Sequence, residues 1–275
     1  MIVKNRDRGQ YTFANINLLG RCNADCYFCL GKDIEDELRD KNQLNVHFSE
    51  WKNFRNFLNR CMDEGASKLY LTGQTADGLQ YRYLSELVDA LQADNFSVGV
   101  RTNGYLALRK MKTIQRMRGE IGYSIHTLDP QTNKFIMGRS DIPKWDEIIP
   151  QSGHNVRVSI VLNRYNIGQF YDLCGYIAQF PNVRYIQVRR ISTDTRESLL
   201  MEDIKLYEEF FRDFEKTHRQ IGDFHRAQQF KLFGKEVVFW RTVETSVNSL
   251  NYFTDGTCSD EYFIVEGYLK NRIPN

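Results

Sequence analysis

Short runs rich in β-branched, aliphatic and aromatic residues alternate along the chain with longer stretches whose apolar residues recur every three or four positions. This alternation predicts parallel strands joined by crossover helices. Strands are expected at Ala14–Leu19, Lys68–Thr72, Ser97–Thr102, Ile121–Ile125, Val156–Leu162 and Val183–Arg189. Between them, Trp51, Phe54, Leu58 and Cys61 fall at helical spacing behind Ser49 as N-cap, and Leu84, Leu87, Val88 and Leu91 repeat the pattern. Phe170, Leu173, Cys174 and Ile177 predict a further helix, as do Ile204, Tyr207, Phe211 and Phe214, while residues 106–118 give a weaker helical pattern. Beyond about Ile221 the runs turn extended, at Val237–Trp240, Leu250–Thr254 and Tyr262–Leu269, with Asp255-Gly256 as a turn between the last two. A small antiparallel addition is expected there. No repeat or flexible linker interrupts the chain, so the addition should pack on the main body.

At 275 residues the chain is long enough to bury a substantial core, as one large α/β barrel domain or as two small domains. Lys and Arg total 37 against 35 Asp and Glu, and the formal charge of +2 singles out neither nucleic acid nor a membrane surface as partner. No apolar run approaches the roughly 20 residues of a spanning helix. Met1–Arg8 is polar and charged, without the apolar stretch of a secretory signal, and a cytoplasmic protein is expected. In that reducing compartment the six cysteines read as metal ligands or core residues before they read as three disulfides.

Three of the six stand together in Arg21-Cys22-Asn23-Ala24-Asp25-Cys26-Tyr27-Phe28-Cys29, directly after the first expected strand. The thiols therefore sit on a loop at that strand's C-terminal end, where α/β barrels assemble their chemistry. Three thiolates can hold a [4Fe-4S] cube, but with no fourth cysteine nearby one iron lacks a protein ligand. Such an open position is available to a substrate or cofactor, as in open catalytic metal sites. A zinc knuckle is a rival reading, though it wants a fourth Cys or His at short spacing, and His47, the nearest histidine downstream, lies beyond a charged stretch. A chance group of buried cysteines is another.

The C-x3-C-x2-C spacing after a first strand, with the aromatic Phe28 just before the third cysteine, resembles the signature of the radical S-adenosylmethionine (radical SAM) superfamily. The resemblance implies an α/β fold, a partial (β/α)6 barrel over residues 1–220 with a short β-rich extension, 221–275, packed on it. It implies Cys22, Cys26 and Cys29 as ligands of a [4Fe-4S] cluster, with S-adenosyl-L-methionine chelating the open iron. The activity implied is reductive cleavage of SAM to methionine and a 5′-deoxyadenosyl radical, which takes hydrogen from a small-molecule or peptide substrate. A reductant such as flavodoxin or ferredoxin is the implied partner. Against this stand a non-catalytic iron-sulfur electron-transfer protein and a zinc-binding interaction module, neither of which needs a large scaffold with polar groups at its strand ends.

Further matches fall at the expected strand ends. Thr72-Gly73-Gln74-Thr75 stands where the family has a Gly-Gly-Glu-like turn whose backbone binds the SAM amine. Only Gly73 matches, which leaves the roles of Gln74 and Thr75 open beside the reading of an ordinary turn. Thr102-Asn103-Gly104 matches a sequence common at this point of the family, and Asn-Gly is also simply a good turn. Ser124 and His126 would share one face and reach the ribose or carboxylate of SAM, His126 as a candidate catalytic group or else as a structural histidine. Asn163 resembles a position near ribose and adenine, Arg189 suits a carboxylate of SAM or substrate, and Ile191 suits the adenine face. Arg190 would face the other way.

Cys61 and Cys174, on apolar helix faces, read as core residues. Cys258, alone after the Asp255-Gly256 turn, is a candidate hydrogen-atom donor or else an ordinary strand cysteine. In the tail, Phe239, Trp240, Arg241, Tyr252, Phe253, Tyr262 and Phe263 form an aromatic-rich group that is mostly sheet core. Trp240 and Arg241 are candidates to meet the substrate, and Arg241 with Arg189 and Arg190 to recognise an anionic group, although no Gly-rich phosphate loop accompanies them. The absence of a second Cys-rich segment predicts a single cluster.

Overall fold

A computed structural model describes residues 11–34, 38, 41–193, 196–241, 248–261 and 264–271. Six strands, β1 (Phe13–Leu19), β2 (Lys68–Gln74), β3 (Ser97–Thr102), β4 (Ile121–Ser124), β5 (Val156–Val161) and β6 (Val183–Arg189), pair in chain order and all in parallel. Among the described residues, seven helices lie in the crossovers and after the last strand: α1 (Phe54–Asp63), α2 (Leu84–Ala93), α3 (Ala107–Ile114), α4 (Pro130–Met137), α5 (Trp145–Gln151), α6 (Phe170–Ala178) and α7 (Glu197–Thr217). Period-2 alternation decides which strand side chains meet them. Ala14, Ile16 and Leu18 of β1, like Leu69 and Leu71 of β2 and Val98 and Val100 of β3, join the helix-side core, and Cys61 and Cys174 lie in it too.

Three crossover helices differ from expectation, α5 (Trp145–Gln151) being one that no apolar spacing predicted. Ser49 does not cap α1: it lies in a 3-10 turn, Phe48–Glu50, capped by His47, and α1 starts only at Phe54, after Asn53 in a left-handed conformation (φ 59°). The short α4 was not expected, although Pro130 occupies its first turn and the Asp129 carboxylate accepts a hydrogen bond from the Thr132 amide at 2.7 Å, both ordinary start signals.

The expected antiparallel addition divides between the two edges of one sheet. After β7 (Gly222–Phe224) and β8 (Ala227–Leu232), β9 (Lys235–Trp240) pairs parallel to β6, while β10 (Ser249–Phe253) pairs parallel to β1 at the far side and carries β11 (Cys258–Ser259) beyond it. The expected run Tyr262–Leu269 is instead covered by helix α8 (Ile264–Asn271), which buries Val265 and Tyr268 one turn apart; Tyr262 and Phe263 lie outside the described residues. The Asp255-Gly256 turn is present, with Gly256 at φ 96°.

Phe13 of β1 shares a buried cluster with Val238 and Trp240 of β9. Six flat inter-strand spacings of about 4.8 Å would separate those strands by roughly 29 Å, so the sheet curls about the face that carries no helices. That inner face is polar. Arg157 donates to Glu120 at 2.8 Å and to Gln187 at 2.5 Å, Tyr185 donates to the second Glu120 oxygen at 3.1 Å, and the Arg101 guanidinium lies 5.0 Å and 4.8 Å from the ring centres of Phe13 and Tyr70.

Burial alone would raise the Glu120 carboxyl, but the charge and hydrogen bond of Arg157, with help from Arg101 and Tyr185, hold it below the ordinary value of 4.5. A carboxylate depressed in the fold adds stability above its unfolded pKa and loses that contribution as pH falls through the folded one. Glu120→Gln, which strands the Arg157 charge, should cost about 3–5 kcal/mol at neutral pH. In urea titrations the gap to the parent should narrow below about pH 4; a gap constant down to acid pH would show that the pair does not stabilise the interior.

Candidate functional site

The loop Arg21–Cys29 leaves β1 at the rim where all six parallel strands end, and runs into a 3-10 turn, Leu30–Ile34. Cys22, Cys26 and Cys29 border one cavity of about 580 Å³, shared with Gly31, Thr75 and Arg139. Burial pushes the Cys22 thiol up to about 12, and the charges of Asp77 and Cys29 add to the rise. Cys26 is raised by burial and then by Cys29 and Cys22, and Cys29 is raised by burial. Burial and the neighbouring thiols together oppose ionisation of Cys22 and Cys26. Among the described residues no three ligating side chains gather as a single-ion site.

The loop has no helix or strand of its own, and its backbone is tied down from elsewhere. The amides of Asp25 and Tyr27 donate to the carbonyls of Met137 and Ile136 at the end of α4, at 2.9 and 3.1 Å. Arg196 donates to the Tyr27 carbonyl at 2.9 Å, the Cys29 carbonyl at 2.6 Å and the fully buried Asp33 carboxylate at 2.6 Å. Arg139, whose guanidinium lies 4.2 Å from the Tyr105 ring centre, donates to the Asn23 carbonyl at 2.8 Å, and Gln80 donates to the Arg21 carbonyl at 3.0 Å.

Asp77, which sequence reasoning missed, joins the β2 and β3 rims. It is buried and accepts from the amides of Leu79 (2.9 Å) and Asn103 (2.7 Å) and from the Thr102 hydroxyl (2.8 Å). Burial raises its carboxyl, and those donors only partly offset the rise. The capping box Asp77–Gln80 was the available signal. Just before it, a Cβ on Gly73 would come within 1.8 Å of the Ala76 carbonyl oxygen, so only glycine fits. Thr75 takes a left-handed φ of 62°, unfavourable for a β-branched residue, and its amide lies against Gly31 beside the Cys29 sulfur.

The other expected residues fall into three groups. Near the thiols, the Asn103 amide donates to the Asn23 side chain at 2.8 Å and lies 3.7 Å from Cys22 Sγ, while Phe28 meets His126 edge to face at 5.1 Å. Gln74 pairs in register with Leu19 at the ends of β2 and β1. Along the curled inner side, Ser124 ends β4, Arg189 ends β6, and Trp240 ends β9 in register with Arg189.

The third group is engaged in structure. The Thr102 hydroxyl serves Asp77 and the Gly104 amide; Asn163 folds its side chain onto the Val161 carbonyl (2.9 Å) and the Tyr165 amide (3.0 Å); and Ile191 is buried. His126 accepts from the Val161 amide at 3.1 Å, and burial with the Arg189 charge lowers its pKa to about 3. A ring kept neutral in this way is poorly suited to exchange protons near neutral pH. Arg241 and Arg190 both pair with Glu208 of α7, which removes them from anion recognition at the inner face. Cys258 lies opposite Tyr252, whose ring packs on Phe54 and Phe57 on the helix side, so it faces away from Cys22, Cys26 and Cys29, and burial pushes its thiol up to about 11.

No protein-family model matches the chain. It is 22% identical over 220 residues to an S-adenosylmethionine-dependent nucleotide dehydratase of a Thermoplasmatales archaeon, covering 78% of this chain and 74% of that protein. It is 25% identical over 188 residues to a GTP 3',8-cyclase of Syntrophomonas wolfei, covering 64% of this chain and 54% of the cyclase. Among solved structures, Streptococcus suis SuiB bound to S-adenosylmethionine shares the fold at a TM-score of 0.60 and 14% identity, over 91% of this chain and 60% of SuiB. SuiB bound to its precursor peptide SuiA matches at a TM-score of 0.61 and 13% identity, over 97% and 62%. Alongside these similarities, the Cys22-Cys26-Cys29 motif at the rim of the parallel strands resembles the signature of the radical SAM superfamily.

Arg196→Gln should loosen the thiol loop and remove the Arg196 charge from Asp33, to which the Thr193 hydroxyl still donates at 2.9 Å, without touching a cysteine. Removing one partner of a buried pair costs about 3–5 kcal/mol, so iron and sulfide retained per chain after anaerobic reconstitution should fall well below the parent. Full cluster content at parental melting temperature would show that the loop is held by other contacts.

Proposed function

We propose that the chain is a radical SAM enzyme whose Cys22, Cys26 and Cys29 hold one [4Fe-4S] cluster and whose strand rim binds SAM beside it. The observation that carries this is that Cys22, Cys26 and Cys29 all line one cavity at the strand rim, with the left-handed Thr75 turn on its wall. The chemistry that cluster and SAM supply together is reductive cleavage of SAM to methionine and a 5′-deoxyadenosyl radical that abstracts hydrogen from the substrate.

The residues of the chain do the holding. The Gly73–Thr75 backbone lies where it can receive the SAM amine, and Ser124 and Arg189 offer a hydroxyl and a guanidinium to its ribose and carboxylate. Ile191 and Asn163 shape the adenine side, and neutral His126 fixes Phe28 against the loop. The curl of the sheet supports a partial (β/α)6 barrel for residues 1–220, with 221–275 as an extension along both its edges.

A soluble one-electron reductant of the flavodoxin or ferredoxin class would serve it in the cytoplasm; no helix among the described residues is long and apolar enough to cross a membrane. The relatives' names favour a small nucleotide or a peptide as substrate.

Anaerobic reconstitution of the parent should give about four iron and four sulfide per chain and 5′-deoxyadenosine when SAM and dithionite are added. The Cys22→Ala, Cys26→Ala, Cys29→Ala triple variant should be colourless and inactive. Ser124→Ala should keep the cluster spectrum while SAM binding weakens about fivefold, the worth of one hydrogen bond. A parent that takes up the cluster yet forms no 5′-deoxyadenosine would leave an electron carrier as the better reading.

A further inference from the structure

The cavity bordered by the three cysteines is lined by three cationic side chains, Arg21, Lys32 and Arg139, and among the described residues by one carboxylate, Asp25. The three cations are not equivalent. Arg21 is exposed, where water and salt screen its charge. Arg139 donates to both oxygens of Asp141, at 2.9 and 2.6 Å, and its charge is largely met there. Lys32 is held differently. Its amide donates to the Cys29 carbonyl at 3.1 Å inside the 3-10 turn, and its ammonium reaches Asp25 at 2.6 Å. The Lys32 side chain is 29% exposed, whereas that of Asp25 is 77% exposed. The ion pair is therefore lopsided: the cation lies against the cavity wall and the anion stands mostly in water, so screening removes more of the field of Asp25 than of Lys32. The thiols respond with the same sign. Lys32 works against the burial-driven rise at Cys26 and at Cys29, and at Cys26 its effect exceeds that of Asp25.

We propose that Lys32 sets the reduction potential of the cluster held by Cys22, Cys26 and Cys29, acting through its charge on the cavity wall and not as a ligand, with Asp25 as the solvent-side tether that fixes it. The inference rests on the cluster assignment made above. Reduction moves one electron from the external reductant onto a core that three thiolates already make net negative, and net charge and exposure are among the levers that set the potential of such a centre. A cation beside it favours the reduced form. The electron that cleaves SAM is then easier to deliver.

An EPR-monitored redox titration of the reconstituted full chain tests this. Lys32→Gln, at parental iron and sulfide content, should lower the equilibrium constant for reduction about tenfold, a fall of about 59 mV for a one-electron couple. Lys32→Arg keeps the charge and should stay within about twofold of the parent. Asp25→Asn, which removes the opposing charge, should shift the constant the other way, up by about threefold. A merely structural lysine would change cluster content and melting temperature without this ordering of potentials. Should Lys32→Gln fail to hold the cluster, Asp25→Asn decides by the sign of its shift. A parental potential in Lys32→Gln, or a potential at or below the parent's in Asp25→Asn, would overturn the inference, as would weaker SAM binding by Lys32→Gln at unchanged potential, which would make Lys32 a SAM contact. A Lys32-dependent potential in a protein that forms no 5′-deoxyadenosine would count against the radical reading alone; SAM cleavage by a cluster indifferent to Lys32 would sink this inference alone.

Discussion

Six parallel strands laid side by side in chain order constrain everything built on them. Each crossover must carry a helix, the helices must cover one face, and every strand must end at the same rim. The covered face is satisfied by aliphatic side chains such as Ile16, Leu71 and Val100. The opposite face receives no helix, so the sheet curls and fills its hollow with its own side chains, and here these include the guanidiniums of Arg101 and Arg157. The division of labour follows from that geometry: sulfur chemistry at the rim, charge in the hollow, and apolar packing outside.

The parts of the fold that rest on local periodicity were legible in the sequence. All six parallel strands lie within two residues of their expected limits, and the main crossover helices are where apolar spacing puts them. Pairing was not legible. Nothing in Lys235–Trp240 or Ser249–Phe253 says that one run joins β6 and the other β1, because the choice is made by partners far away in the chain. The terminal helix was misread as a strand because Ile264, Val265, Tyr268 and Leu269 satisfy either period over so short a stretch.

At the site, the cysteines were evident from spacing, whereas the groups that hold their loop were not. Arg139 and Arg196 act on carbonyls 116 to 169 residues away and carry no local signature. Trp240 and Arg241 illustrate a different limit. Adjacent letters in a strand look equally available, yet alternation sends one to the hollow and the other to Glu208 on the helix side. The same geometry divides Arg189 from Arg190, so that of the three arginines expected to recognise an anion, only Arg189 reaches the inner face.

The wall behind the thiol loop is supplied late in the chain. Leu19 and Ile34 pack against Phe253, Val265 and Tyr268, and the Leu19 amide donates to the Thr254 hydroxyl at 3.1 Å across 235 residues. On a ribosome the three cysteines emerge roughly 220 residues ahead of that backing, and at about 5–20 residues per second they stand without it for more than about ten seconds. A complete pocket around those cysteines therefore has to follow translation of the last strands, when the later chain has closed over this segment.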